Sequence, residues 1–352
     1  MIVAGAGMAG LCAAARAREL GARPQVLEKG TRPGGSMLLS SGVVWRYRTL
    51  DDFRHACPHG EVELQRQIVD RLDDALRWLE LLGAPVVERE TRNPRTHGWR
   101  FDPQGLTQTL IRRAGDVQLG HALVSDVATR PHVPVVLATG GFPVRLARLW
   151  GLPLRANPWS EGDGFDFGRA GGAAASTGME EFYGRAMPAP PARWGEGDFV
   201  QLAQLYGRIA RVVDENGARI PVDPDDWSEN GLAQEIARRG GTAWYVVPPS
   251  GRGFRTPYGT VAESIERARL AGGEVDERAD RSVAVHVVSA VTHTIGGLAV
   301  DDRARVLDQS GTPIDGLYAA GVDAGGIATG GYASGLAAAL VLGLIAAEEI
   351  AT

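Results

Sequence analysis

Three glycines, Gly5, Gly7 and Gly10, separate an apolar triplet, Ile2-Val3-Ala4, from an Ala-rich stretch that runs to about Leu20. At a strand-to-helix turn this spacing suits a dinucleotide. The first glycine makes the turn, the second admits backbone close to a pyrophosphate, and the third lets the helix pack on its strand. The phosphate charge then meets unpaired N–H groups and the positive end of the helix dipole. Glu28 closes a second apolar run, Gln25-Val26-Leu27-Glu28, at the distance where a carboxylate can accept from ribose hydroxyls. Glu28 suits NAD or FAD alike.

The far end of the chain tilts that choice. Gly316-Leu317-Tyr318-Ala319-Ala320-Gly321 reads as a strand ending in glycine, followed by Gly325-Gly326, Gly330-Gly331 and a helix from about Gly335 to Ile350. Such an ending brings a second helix N-terminus to a ligand, and a flavin ring with polar edges would use it. A glycine-rich helix entry without a ligand is the plainer alternative. Gly34-Gly35, directly after the acidic strand, adds another loop on the cofactor side.

Stepping outward, the elements that must hold these residues form a compact strand–helix–strand opening. Ser36 to Val44 reads as a small-residue loop and strand. Apolar positions at Val62, Ile68, Val69, Leu72, Leu76 and Leu79 mark an amphipathic helix over 61–82. Val133 to Ala138 reads as a buried strand running into Thr139-Gly140-Gly141. The texture changes near 182, with Pro188-Ala189-Pro190-Pro191 and several aromatic residues, and returns to small residues at His286. The expected fold class is α/β. A Rossmann-like FAD-binding domain of the glutathione reductase type (1–181 and 286–352) is interrupted by a smaller α+β cap (182–285). Trp227, Trp244, Tyr245, Tyr206 and Phe254 either line a pocket or form the cap's own core, and core is the reading for most of them.

The 352 residues carry a net charge of −5, with 44% hydrophobic and 22% charged residues, so nothing in the charge balance points to nucleic acid. Two cysteines, Cys12 and Cys57, make no disulfide framework and suit a reducing compartment. No signal peptide is read, and the apolar stretch Gly335 to Ala347 is too short to span a bilayer. The expectation is a soluble, cytoplasmic protein with no membrane insertion and no metal.

Taken together, several pieces resemble the flavoproteins that include fumarate reductase, 3-ketosteroid dehydrogenases and tricarballylate dehydrogenase-like enzymes. They are Gly5 to Gly10 with Glu28, Pro33-Gly34-Gly35-Ser36, Val136 through Phe142, and Gly162-Asp163-Gly164 before Ala170-Gly171-Gly172-Ala173. Thr292 through Gly297 and Gly316 through Gly335 complete the set. The resemblance implies FAD, a cap over the flavin, and hydride transfer between flavin N5 and a substrate carbon. It places on the cofactor Gly5, Ala6, Gly7, Met8, Ala9, Gly10, Glu28, Lys29, Gly35, Ser36, Ser41 and Gly42. Ala138, Thr139, Gly140, Asp163, Gly321, Val322, Asp323, Gly335, Leu336 and Ala337 complete that expected cofactor shell. Covalently flavinylated members carry a His shortly after the Gly-Gly loop; Ser36 to Val44 has none, so FAD is expected to be non-covalent.

For the chemistry, the resemblance points to His293, where fumarate reductase-like members bind substrate, and to Tyr332, where dicarboxylate-reducing members carry an Arg. Arg185, beside Tyr183, lies near another substrate-side position. A phenol cannot form the charged two-point clamp that Arg gives a carboxylate, but it can donate one hydrogen bond or act as a general acid. Asp223-Pro224-Asp225-Asp226-Trp227 stands where those enzymes have a catalytic Arg. A simple dicarboxylate is therefore not the expected substrate. The reading is a dehydrogenase or reductase acting on a CH–CH or C=C bond of a small molecule. A flavin oxidase of an amine or alcohol, or a non-catalytic flavin-binding electron-transfer partner, stays open, as does the electron donor or acceptor.

Overall fold

A computed structural model describes residues 1–123 and 133–352, which divide into two compact units. The first comprises Met1–Val144, Asn157–Glu181 and His293–Thr352. Its main sheet has six strands. Ile2–Ala4 lies inside, with Gln25–Glu28 and Val135–Leu137 parallel on either side. Pro313–Ala319 extends the sheet in parallel beyond Val135–Leu137, and Val117–Leu119 extends it beyond Gln25–Glu28. Arg305–Leu307 closes one edge antiparallel. Val3 faces Val26 and Val136 across the ladder, and all three are fully buried. Short, unbroken apolar strands of this kind form where a parallel sheet is covered on both faces.

The first helix, Met8–Glu19, and the last, Gly335–Ala351, approach closely because small residues line their contact. A Cβ on Gly343 would sit 2.6 Å from the Ala9 carbonyl oxygen. A second, antiparallel sheet joins Val43–Tyr47, Thr96–Phe101 and Val86–Glu88. The amphipathic helix read from the sequence is Val62–Leu81, with Leu64, Ile68, Leu72, Leu76 and Leu79 buried.

The second unit comprises Arg145–Ala156 and Phe182–Thr292. Its sheet is built on one long strand, Val283–Thr294, which pairs antiparallel with Thr242–Val247 and Val275–Glu277 and also pairs with Phe182–Pro188. Helices Asn230–Arg238 and Val261–Leu270 complete an α+β unit. Its limits differ from those read in the sequence. His286 pairs with Trp244 and Val288 with Thr242, so the strand belongs to this unit past the return to small residues at His286. Residues 145–156 join it too: the Arg155 N–H donates to Val291 O at 2.7 Å, and the Arg155 guanidinium donates to Phe199 O and Thr292 Oγ1.

Tyr206 and Tyr245 form this unit's core, 1% exposed and packed edge to face at 5.5 Å, whereas Phe254 is exposed. Beside them Glu229 is buried at the start of Asn230–Arg238, in a left-handed conformation that non-glycine residues seldom adopt (φ 56°). Its carboxylate accepts from the Gly207 and Arg208 amides at 3.0 and 3.4 Å, with the Arg208 side chain 3.7 Å away. Burial outweighs these donors and pushes the carboxyl up to about 7.

Because Glu229 holds a proton more tightly folded than unfolded, its contribution to stability is complete at low pH and is lost as pH rises through about 7. Thermal unfolding followed from pH 5 to 8 should show a falling midpoint, and Glu229→Gln should flatten that slope. A variant with the same slope as the parent would place the titration elsewhere.

Candidate functional site

Three of the loops expected at the cofactor follow strands of the parallel sheet, which is where open α/β sheets bind ligands. The Gly5–Gly10 turn follows Ile2–Ala4, the Thr139–Gly141 loop follows Val135–Leu137, and the Gly321–Asp323 turn follows Pro313–Ala319. The glycines of the first turn have different reasons to be there. A Cβ on Gly5 would lie 2.1 Å from Ala138 O, and one on Gly10 would lie 1.9 Å from Gly5 O. Both are demanded by the fold. A Cβ on Gly7 would meet nothing within 4 Å. Among the described residues nothing requires glycine at that position, but a ligand lying against the backbone would.

Gly7 also starts the first helix with no side chain capping it and no acidic residue in its first turn. Its N-terminal amides therefore suit an anion, as a pyrophosphate requires. The residues present fit FAD. Glu28 is buried at the loop's edge, and its two oxygens accept from the Ala6 amide at 2.8 Å and the Gly30 amide at 2.7 Å. A carboxylate has about four acceptor positions, so two amides leave capacity for ribose hydroxyls.

The expected cofactor shell divides by exposure. Gly5, Gly7, Gly35, Ser36, Ser41, Thr139, Gly140, Val322, Gly335 and Leu336 present surface. Met8, Ala9, Gly42, Ala138 and Gly321 are buried, as are Ala6, Gly10 and Ala337. Of these, Ala6 donates to Glu28, Gly10 packs on Gly5, and Ala337 donates to Ser334 Oγ. Lys29 and Asp163 are tied to one another at 3.1 Å, with Glu161 also on Lys29 at 2.7 Å. Ser36 Oγ accepts from the Asn157 amide at 3.2 Å.

Asp323 departs from expectation. It exposes no surface, and its oxygens accept from the Thr139, Gly140 and Gly141 amides and from Thr139 Oγ1. In this structure its carboxylate holds the Thr139–Gly141 loop from inside the protein. Burial pushes its carboxyl up to about 6 against the pull of these donors.

A pocket opens beside the last helix, lined by His293, Ile295, Val322, Ile327, Ser334 and Gly335 among others. His293 Nδ1 lies 3.0 Å from Thr294 O; a carbonyl only accepts, so Nδ1 carries the proton and Nε2 is the basic nitrogen of the neutral ring. A Cβ on Gly335 would come within 3.0 Å of that Nε2. Tyr332 is half-buried and is not among the residues that line the pocket; its ring lies 5.5 Å from that of Trp45, and its carbonyl accepts from Tyr47 Oη at 2.8 Å. Trp45 and Tyr47 were not legible as site residues, since their partner lies almost a chain length away. Ser334 caps the last helix, its Oγ accepting from Ala337 N at 3.2 Å.

Arg185 and Tyr183 belong to the second unit. Arg185 is no surface residue: it is buried, donates to Ser228 O at 2.5 Å, and stacks its guanidinium 4.5 Å from the Tyr183 ring centre. Among the described residues no cluster of His, Cys, Asp and Glu is arranged to hold a metal, and no helix is long and apolar enough to cross a membrane.

Fold and site together define a dinucleotide-binding flavoprotein. The chain belongs to the FAD binding domain family, whose pattern matches residues 1–124 and 95–336. Its cofactor is FAD, and the family's members are FAD-dependent oxidoreductases. A probable fumarate reductase, Ifc3, of Shewanella frigidimarina (strain NCIMB 400) is 23% identical, over 91% of this chain and 69% of its own. The open conformation of a flavocytochrome c3 fumarate reductase superposes with a TM-score of 0.70 at 21% identity, covering 99% of this chain and 77% of that one. The 3-ketosteroid-Δ4-(5α)-dehydrogenase of Rhodococcus jostii RHA1, in complex with 4-androstene-3,17-dione, gives 0.71 at 17% identity, covering 100% and 96%.

The two kinds of glycine separate by experiment. Gly10→Ala should lower stability by about 1–3 kcal/mol in urea unfolding, because its methyl meets backbone that cannot yield. Gly7→Val should leave the unfolding of the FAD-free chain nearly unchanged and weaken FAD binding at least tenfold by fluorescence titration. Unaltered FAD affinity in Gly7→Val would remove the pyrophosphate from this turn.

Proposed function

We propose that the chain binds FAD non-covalently and oxidises a CH–CH bond, or reduces the corresponding C=C bond, in a neutral and largely apolar small molecule. The observation that carries the substrate class is the lining of the small pocket beside the last helix, which shares Gly321, Val322 and Gly335 with the expected cofactor shell. Ile295, Val322, Ile327, Ala328 and Ala338 wall it, His293 is its titratable side chain, and no Lys or Arg is among its described lining residues. A dicarboxylate would need a cation there. A ring ketone, of the kind bound to the Rhodococcus jostii enzyme, would not.

Bound FAD supplies the hydride chemistry at N5. The chain's own residues hold and orient. The first-helix amides would hold the pyrophosphate, Glu28 would accept from the ribose, and the apolar wall would keep water from the reacting carbons. In oxidation the hydride leaves one substrate carbon and a proton leaves its neighbour; that proton goes to His293 Nε2 or to the Tyr332 phenolate oxygen. In reduction the same group returns it. In the second unit Tyr183 is half-exposed beside the Arg185 guanidinium. Buried thiols at Cys12 and Cys57 suit the cytoplasm, where we place the protein.

The test begins with an absorption spectrum of the purified protein and of the supernatant after heat denaturation; flavin bands should move into the supernatant. The dithionite-reduced enzyme, mixed without air, should be reoxidised by 4-androstene-3,17-dione and not by fumarate. Reoxidation by fumarate alone would overturn the substrate class. At least one of Tyr332→Phe and His293→Ala should lower turnover about 100-fold with FAD still bound; full turnover in both would overturn the proton-transfer assignment.

A further inference from the structure

Two glycine-containing loops meet at the ends of neighbouring parallel strands, and both offer backbone amides. At the Thr139–Gly141 loop three consecutive N–H groups converge, with Gly140 and Gly141 in the left-handed region (φ 92° and 69°). Amides so arranged form a nest, a concavity that binds anions. A phosphate would fit such a nest, yet it is filled from inside the protein. Asp323, wholly buried, accepts from Thr139 N, from Gly140 N at 3.2 Å and from Gly141 N at 3.3 Å. Thr139 Oγ1 donates to the same carboxylate at 3.0 Å and accepts from the Gly164 amide at 3.0 Å, which brings the start of the Asp163–Ala170 helix into the network.

This network touches each side of the cofactor site. Ala138 O is the atom against which Gly5 turns, so the position of the Thr139 loop sets that of the pyrophosphate turn. Gly321, two residues before Asp323, packs so that its Cβ would fall 3.0 Å from Ala9 Cβ in the first helix. The Asp323 carbonyl oxygen accepts from Leu298 N at 2.8 Å, which anchors its own turn.

We propose that Asp323 is a positioning residue for FAD: a built-in anion that fills the Thr139–Gly141 nest, closes it to phosphate, and locks the loops after two adjacent strands in the shape the cofactor requires. The pyrophosphate is thereby left to the Gly5–Gly10 turn. Three amides and a hydroxyl converging in a buried site would be costly with no acceptor, so loss of the carboxylate should open the loop. A small exogenous carboxylate should enter the vacated nest and close it again.

The proposal rests on FAD being the cofactor, and the experiment separates the two. FAD dissociation constants are measured by flavin fluorescence for the parent chain, Asp323→Ala and Asp323→Asn, each in formate and in chloride at equal ionic strength. The parent should bind FAD equally in both salts. Asp323→Ala should bind at least tenfold more weakly in chloride and recover most of that loss in formate. Asp323→Asn, which keeps the volume and lacks the charge, should be weakened and should not respond to formate. Both variants within twofold of the parent would overturn the proposal. So would an Asp323→Ala loss that formate does not reverse alongside a normal Asp323→Asn, since volume alone would then account for the effect. Should Asp323→Ala not fold, the Asp323→Asn constant decides on the same threshold. A parent chain that binds no FAD would instead overturn the cofactor reading itself.

Discussion

The first unit depends on how closely backbone can approach backbone at one point. Gly5 turns against the Ala138 carbonyl, and Gly10 brings the first helix down onto the Gly5 carbonyl, both at distances that exclude any side chain. Those contacts aim the helix N-terminus at the crevice beyond the strand ends, and they bring the loop after Val135–Leu137 into the same place. Glu28 then fixes the turn from the other side through the Ala6 and Gly30 amides. The anion site is thus made by sterics and hydrogen bonding within the protein, with Gly7 left open toward the ligand.

Charge in this unit is managed by burial as much as by pairing. The crevice at the strand ends carries two internal carboxylates, Glu28 and Asp323, and each accepts from backbone amides of its loops. Amides bonded to a carboxylate are held in one orientation, and a preorganised loop costs less to order when a ligand binds. The pocket beside the last helix follows the opposite policy. Its wall is apolar, and its polar groups are the imidazole of His293 and the hydroxyls of Thr294 and Ser334. Pockets so built discriminate by shape and by a few hydrogen bonds more than by charge.

The second unit solves a separate problem. Its core holds two tyrosines and a glutamate where aliphatic residues would serve for packing alone. Tyr206 Oη donates to Gln204 Oε1 at 2.6 Å, and Glu229 accepts from two amides, so these polar groups have partners inside. Such pairing makes burial tolerable, though the Glu229 carboxyl still titrates near neutrality.

By itself the sequence determined the parts whose chemistry is local. Glycine spacing, the strand that ends in Glu28 and the amphipathic period of Val62–Leu81 each follow from interactions within one turn or one pleat, and residue order encodes those directly. Pooled over the whole chain, the motifs were enough to indicate the family. Tertiary structure decided what distant segments do to one another. The Tyr47 contact to Tyr332 joins residues whose neighbourhood no pattern announces. The burial of Arg185 and the extension of the second unit to Thr292 depend on strand pairing, which period and composition leave open. Asp323 is the clearest case: an acid beside a glycine turn reads as a ligand contact. Only the fold shows its carboxylate turned inward to three amides from a loop more than half the chain away, because hydrogen-bond direction is set by where the strands end in space.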